Sequence, residues 1–342
     1  MKLNRHIDGE LSSRFSKMGF LSAILVVYLH SGSTSDGEIV GSVLHHMISV
    51  FCRVAIPWFF YAAGFFLASH IGEEGWYKRE VVKRVRTVLI PFWIWSSIIC
   101  IIWVLIAVLI RLTGYQYHGM NAFEWITPTG VLRVLGIDPL HNIPTMWFLR
   151  TLFLFVCLSP VIYRGGALFV ILSFLSYMAF KIWYYDMGKD VRYLLESFIS
   201  LRGLTYFSLG IYVRVNRSKL SKSTCAMLSM IGIIMFMATC FSSGMISRLL
   251  DVLMVPFMLI ALFSIIRHIS MSGRLTSNAF PLYLIHGIVA YCISAIYGLL
   301  NVKVGFAFGL VRWVLAISSS IIVSVSIRNI LPRFSKVAFG GR

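Results

Sequence analysis

Ten apolar runs, each able to enter or cross a hydrocarbon layer, recur along this chain and constrain it to a helical membrane bundle. They fall at 18–31, 45–70, 86–110, 144–163, 165–180, 198–213, 223–241, 249–266, 279–300 and 305–327. The runs are near-continuous and lack the alternation of period two that a membrane barrel requires. The expected class is therefore all-α, a polytopic bundle of about ten transmembrane helices. Hydrophobic residues make up 58% of the chain and charged residues 13%, where a soluble domain carries about a quarter charged. No repeat with a period of roughly 20–50 residues is visible. The polar start "MKLNRHIDGELSSRFSK" has no small-residue cleavage site after an apolar core, so no removable signal peptide is expected. Residues 1–342 read as one membrane domain, with tails at 1–17 and 328–342.

A net charge of +18 invites a nucleic-acid partner, and the placement of the charges argues against one. With the N-terminus in the cytoplasm, 20 of the 31 Lys and Arg residues fall on the cytoplasmic side and 8 outside. Arg53, Arg150 and Arg312 remain within spans. This bias places both termini in the cytoplasm, so most of the basic excess reports topology. The six cysteines are scattered through apolar runs, with no CxxC pair and no metal-ligand spacing. Neither a disulfide framework nor a metal site is expected.

Within that topology the intramembrane polar residues gather toward the outer side. His30 ends the first run, and "SGSTSDG" follows it, a loop able to admit a bulky acceptor. A neutral imidazole is the common general base at neutral pH. Arg53 lies about 12 Å below its outer span end, and Arg150 and Arg312 about 9–10 Å below theirs, at the rise of a helix. Asp251 heads the eighth run. Each Arg alone is equally served by a hydrogen bond to backbone carbonyls; three together favour a polar, ligand-bearing cavity. His45 and His46 open the second run and read as a solvated interfacial pair. On the other side, "YKREVVKRVRTVLIPFW" carries Lys78, Arg79, Lys83, Arg84 and Arg86, with 79, 83 and 86 on one helical face. Such a cluster grips a phosphorylated nucleotide or lipid headgroups alike. The outward segments 111–143 and 181–197 mix aromatic and polar residues, which anchor helices at the interface or stack on sugar rings.

Six stretches, in order, resemble one family: "SAILVVYLHSG", "RVAIPWFFYAAGFFL", "KRVRTVLIPFWIWS", "MWFLRTLFLFVCLSPVIY", "YFSLGIYV" and "AFPLYLIHGI". They are similar to the membrane-bound acyltransferase-3 family, in its stand-alone form without an appended hydrolase-like domain. The resemblance implies about ten spans in a bacterial inner membrane. It also implies acetyl-CoA or another acyl-CoA from the cytosol as the acyl donor, acetyl being the default, with no permanently bound cofactor. The implied acceptor is a lipid-linked or surface glycan such as O-antigen, capsule or enterobacterial common antigen. The family's central motif is a basic residue, ten spacers and a histidine. His30 matches the histidine, while the basic position falls on Gly19. Lys17 is the nearest cation, about 140° from His30 around the helix, whereas position 19 lies about 20° away.

The reading that results is an integral membrane O-acetyltransferase. His30 is its base or acyl carrier, and Arg150 or Arg53 stabilises the oxyanion. Lys83, Arg84, Arg86 and Lys17 hold the donor, and Arg53, Trp147, Tyr283 and His286 meet the acceptor. The rival readings are a transporter or flippase of a lipid-linked sugar, and a catalytically silent membrane relative.

Overall fold

A computed structural model describes residues 9–32, 39–113, 127–138, 145–216, 220–299 and 305–341. Among these residues the chain is helical, with no strand: α1 (Gly9–Ser31), α2 (Ile39–Cys52), α3 (Ala55–Leu67), α4 (Trp76–Arg84), α5 (Ile90–Thr113), α6 (Pro128–Leu135), α7 (Trp147–Ile182), α8 (Lys189–Tyr193), α9 (Leu201–Asn216), α10 (Lys222–Phe241), α11 (Gly244–Ile265), α12 (Gly273–Thr276), α13 (Ala279–Leu299), α14 (Phe306–Ile330) and α15 (Pro332–Ala338). Among the described residues each expected apolar run lies mainly on helix. Six helical stretches among the described residues are long and apolar enough to cross a bilayer, fewer than the ten runs, and Ala279–Ser294 is a shorter apolar helix. Most of the outward segment 111–143 and of the "SGSTSDG" loop lies outside the described residues.

The interruptions have local causes. Pro57 cannot donate to the carbonyl of Arg53 and its ring crowds that group, so the helix breaks between α2 and α3 at Arg53–Val54. Pro160 sits inside α7 and leaves the Val156 carbonyl without its helical donor; the Ser159 hydroxyl donates to it at 2.6 Å. At 36 residues α7 is about 54 Å long, too much for one crossing. Gly166, at φ 50° and ψ −131°, divides it into the two spans expected at 144–163 and 165–180. Only glycine adopts that conformation without steric cost.

With lipid on the outside, helices associate through close packing more than through water exclusion. Around α1 this packing is aromatic: Phe15 lies 5.0 Å from Trp58, 4.9 Å from Phe65 and 5.4 Å from Phe263 between ring centroids. Between α3 and α9 it is backbone on backbone. A Cβ at Gly64 would fall 2.1 Å from the Phe207 carbonyl oxygen, and one at Gly210 would fall 2.2 Å from that of Tyr61. These contacts also fix direction. The start of α1 meets the end of α3 through Phe15 and Phe65, and the end of α1 meets α2 through Tyr28 and His45. His30 and the basic residues that follow α3 therefore sit at opposite ends, about 22 Å apart along α1 from Phe15 to His30.

Candidate active site

α1 delivers His30 in its last turn. The carbonyls there have no helical partners, and a cation from another helix supplies one. Arg312 on α14 donates to the His30 carbonyl oxygen at 3.0 Å and to Ser294 Oγ on α13 at 3.0 Å. Nearly two turns deeper, Trp313 Nε1 donates to the Ile24 carbonyl at 2.9 Å. Tyr28 hydrogen-bonds His45 Nδ1 at 3.0 Å, so His45 is half-buried against the end of α1. This corrects the reading of His45 and His46 as a solvated pair. His46 alone is exposed, because one residue along the helix turns it to another face.

The His30 ring is accessible and lies 5.3 Å from the ring of His286, which is fully buried on α13. His286 Nδ1 lies 2.7 Å from the Tyr283 carbonyl and 3.2 Å from that of Leu282. A carbonyl only accepts, so Nδ1 carries the proton and Nε2 is left as an acceptor. That Nε2 is buried and has no hydrogen-bond partner. The Tyr283 hydroxyl donates to the Thr145 carbonyl, joining α13 to the residues just before α7. Trp147 opens α7 and packs, partly buried, against the core beside this junction. The structure thus brings together His30, His286, Tyr283 and the start of α7, drawn from three distant parts of the sequence.

The other cations have different partners. Arg53 pairs with Asp251 across 3.1 Å, and the carboxylate is buried. Arg150 donates to the carbonyls of Asp138 at 3.2 Å and Ser197 at 3.3 Å, with its guanidinium 4.5 Å over the Phe198 ring. For Arg150 and Arg312 the backbone-carbonyl alternative is the one realised. An oxyanion contact by Arg150 or Arg53 draws little support from this geometry, since both guanidiniums already have partners inside the bundle.

At the opposite end, glycines at φ +92° (Gly72) and +64° (Gly75) turn the chain into α4. A groove of about 560 Å³ lies along α4 and the π-helical turn Val85–Leu89, lined by Lys78, Arg79, Lys83, Arg86, Thr87 and Val82. Residues 79, 83 and 86 share this groove, as their spacing implied. Arg84 does not line it: its side chain is mostly buried, with Nε 3.6 Å from the buried Glu80. Glu80 also meets Lys83 Nζ at 3.2 Å, and Glu73 meets Arg79 at 2.6 Å. The C-terminal segment backs the groove. Trp95 Nε1 donates to the Ala338 carbonyl at 3.0 Å, and Gly340 lies so close that a Cβ would come within 2.5 Å of the Thr87 carbonyl. Lys17 is half-buried on α1, and at Gly19 a Cβ would meet nothing within 4 Å.

Sequence reasoning missed Thr145, Ser294 and the role of His45. None lies in an interrupted apolar pattern, and only their packing partners single them out.

Comparison with known proteins gives one match. A family model described as an acyltransferase domain covers residues 20–329, from the middle of α1 to the end of α14. No curated protein and no solved structure matches. The match spans both the histidine pair and the basic groove, and the chain belongs to the acyltransferase-3 family as a multi-pass membrane acyltransferase.

Proposed function

We propose that the chain is an O-acetyltransferase that moves acetyl from cytosolic acetyl-CoA to a hydroxyl of a lipid-linked or surface glycan, working in a bacterial inner membrane. The observation that carries this reading is the His30–His286 pair, an accessible imidazole beside a buried one whose tautomer is fixed by backbone carbonyls. Lys78, Arg79, Lys83 and Arg86 receive the donor phosphates at the cytoplasmic end. The thioester arm runs along the bundle toward His30. As the glycan oxygen attacks the thioester carbon, His30 takes the hydroxyl proton. That attack forms the ester C–O bond and pushes the carbonyl electron pair onto oxygen. Collapse of the tetrahedral intermediate re-forms the carbonyl, breaks the C–S bond, and returns the proton from His30 to the departing thiolate. His286 is a positioning residue, its neutral ring 5.3 Å from that of His30.

Mass spectrometry of envelope glycans from cells with and without the protein tests this reading. A shift of one acetyl unit on a defined sugar is the expected outcome, and identical spectra reject it. The donor end is tested separately. Reversing two charges in the groove (Lys83→Glu with Arg86→Glu) should raise the KM for acetyl-CoA by about 10²-fold or more, since each charge-assisted contact contributes about 1.5–3 kcal/mol. The reaction at saturating donor should change little, and an unaltered KM would place the donor elsewhere.

Position 19 offers a gain-of-function test. There is open space for a side chain there, on nearly the same helical face as His30. Gly19→Arg should stabilise α1 by about 0.5–1 kcal/mol through helix propensity, and should tighten donor binding by supplying the family's missing cation. Isothermal titration with coenzyme A reads the second effect; weaker binding than wild type would show that the cation belongs elsewhere.

A further inference from the structure

An acyl transfer of the kind proposed places negative charge on the thioester oxygen, and the intramembrane arginines are already engaged by carbonyls or by Asp251. Arg150 and Arg312 each keep a buried Nε–H without a partner, and a further set of donors lies beside His286. Beside the histidine pair, α7 begins inside the protein: Thr145 is 5% exposed, Met146 is fully buried, and the N-cap Met146 offers no side-chain acceptor to the first-turn N–H groups. A helix start without a side-chain cap presents backbone donors and the positive end of the helix dipole. Here the Leu149 N–H already donates to the Met146 carbonyl at 3.1 Å, which leaves the turn's earlier N–H groups for a ligand. Thr145 supplies a second, independent feature. Its Oγ1 is buried without a hydrogen-bond partner, as is His286 Nε2. Thr145 Oγ1 packs against α13 at Gly287, the residue next to His286, since a Cβ on Gly287 would fall 3.0 Å from it.

The backbone at this point is unusual as well. Thr145 has φ +74°, a region that costs a β-branched residue about 1–3 kcal/mol. The Tyr283 hydroxyl bond to its carbonyl holds it there. Non-helical backbone at membrane depth is tolerated where it is buried in protein or lines a cavity. A buried polar atom without a partner needs a physical account, and a ligand oxygen that accepts from the Thr145 hydroxyl would supply one.

We propose that the Thr145 hydroxyl and the uncapped first turn of α7 form the oxyanion-binding site of this enzyme. In the tetrahedral intermediate the former carbonyl oxygen accepts a hydrogen bond from Thr145 Oγ–H and one from an N–H of that turn. When the C–S bond breaks, the oxygen returns its electron pair to the carbonyl, and the donors are left as they began. The ester product keeps that oxygen as its carbonyl. Thr145 is then a catalytic residue in the strict sense, since it touches the reacting atoms. This rests on the acetyl-transfer reading above.

The test uses full-length protein in detergent or nanodiscs, with acetyl-CoA as donor and envelope polysaccharide of the host strain as acceptor, read as coenzyme A thiol release. Thr145→Val keeps the branched shape and deletes the donor. It should lower kcat by about 10²-fold with KM for acetyl-CoA unchanged, the usual cost of losing one oxyanion donor. Thr145→Ser restores the hydroxyl and should recover kcat to within several-fold. Wild-type kcat in Thr145→Val overturns the assignment, and so does a loss in both variants together, which marks a packing role. His30→Ala run alongside separates the two levels. If it is inactive while Thr145→Val is fully active, only the oxyanion assignment falls. If His30→Ala is itself fully active, the underlying acyl-transfer reading falls with it.

Discussion

His30→Ala should reduce acyl transfer by about 10²–10⁴-fold, the range that a positioned general base contributes. The loss should appear in kcat, while protein level and donor binding stay near wild type. His30 is accessible at the end of α1, and its side chain fills no core position. The Arg312 contact that ties α14 to α1 goes to the His30 backbone carbonyl and survives the substitution. The partner residue gives a sharper signature. His286 presents Nε2 as an acceptor because Nδ1 donates to the Tyr283 carbonyl. His286→Gln places a polar atom near Nε2, whereas His286→Asn places one near Nδ1 and leaves the Nε2 position empty. Glutamine should therefore retain more activity than asparagine. The pH–rate profile of either variant should be displaced, because the buried neutral neighbour of the base has changed. Equal activity of both variants, with the wild-type profile, would remove His286 from the mechanism. Transfer at the wild-type rate in His30→Ala would remove His30 as well.

The largest effect on folding is expected at two glycines far from this chemistry. Gly64→Ala and Gly210→Ala each set a methyl group against a helix backbone, within 2.1 Å of the Phe207 carbonyl and 2.2 Å of the Tyr61 carbonyl. Neither obstacle is a flexible side-chain end that can move aside, so α3 and α9 must separate. Overpacking of this kind costs about 1–3 kcal/mol, and more where backbone must shift. Small residues at such crossings are what let membrane helices approach closely. Size-exclusion profiles and thermal unfolding in detergent should show both variants aggregated or strongly destabilised. Gly19→Ala is the matched control: its Cβ meets nothing, and it should be neutral or slightly stabilising. Monodisperse Gly64→Ala and Gly210→Ala with wild-type melting would contradict the close α3–α9 contact.

Particular residues show how far the chain could be read without coordinates. The apolar runs located the helices because hydropathy is a local property. The boundary between the runs 144–163 and 165–180 was legible for the same reason, while the turn at Gly166 itself appears only in the structure. The groove residues 79, 83 and 86 were legible because helical spacing alone puts them on one face. Arg84 was not, since its direction depends on Glu80 and on burial against neighbouring helices. His30 stood out as an ionisable group ending an apolar run. His286 was recognised through resemblance, and nothing local says that its ring meets His30.

The sequence by itself determined the helical membrane class, the positions of the runs, the basic face of α4 and the family. Each follows from periodicity, charge or order along the chain. Only the tertiary structure decided which cation meets which partner: Arg53 with Asp251, Arg150 with two carbonyls, and Arg312 with the end of α1. It alone brought Thr145, Tyr283 and His286 to one place. The reason is physical: a polar atom in a membrane bundle is satisfied by whatever group another helix brings within about 3 Å, and that depends on packing between segments far apart in sequence.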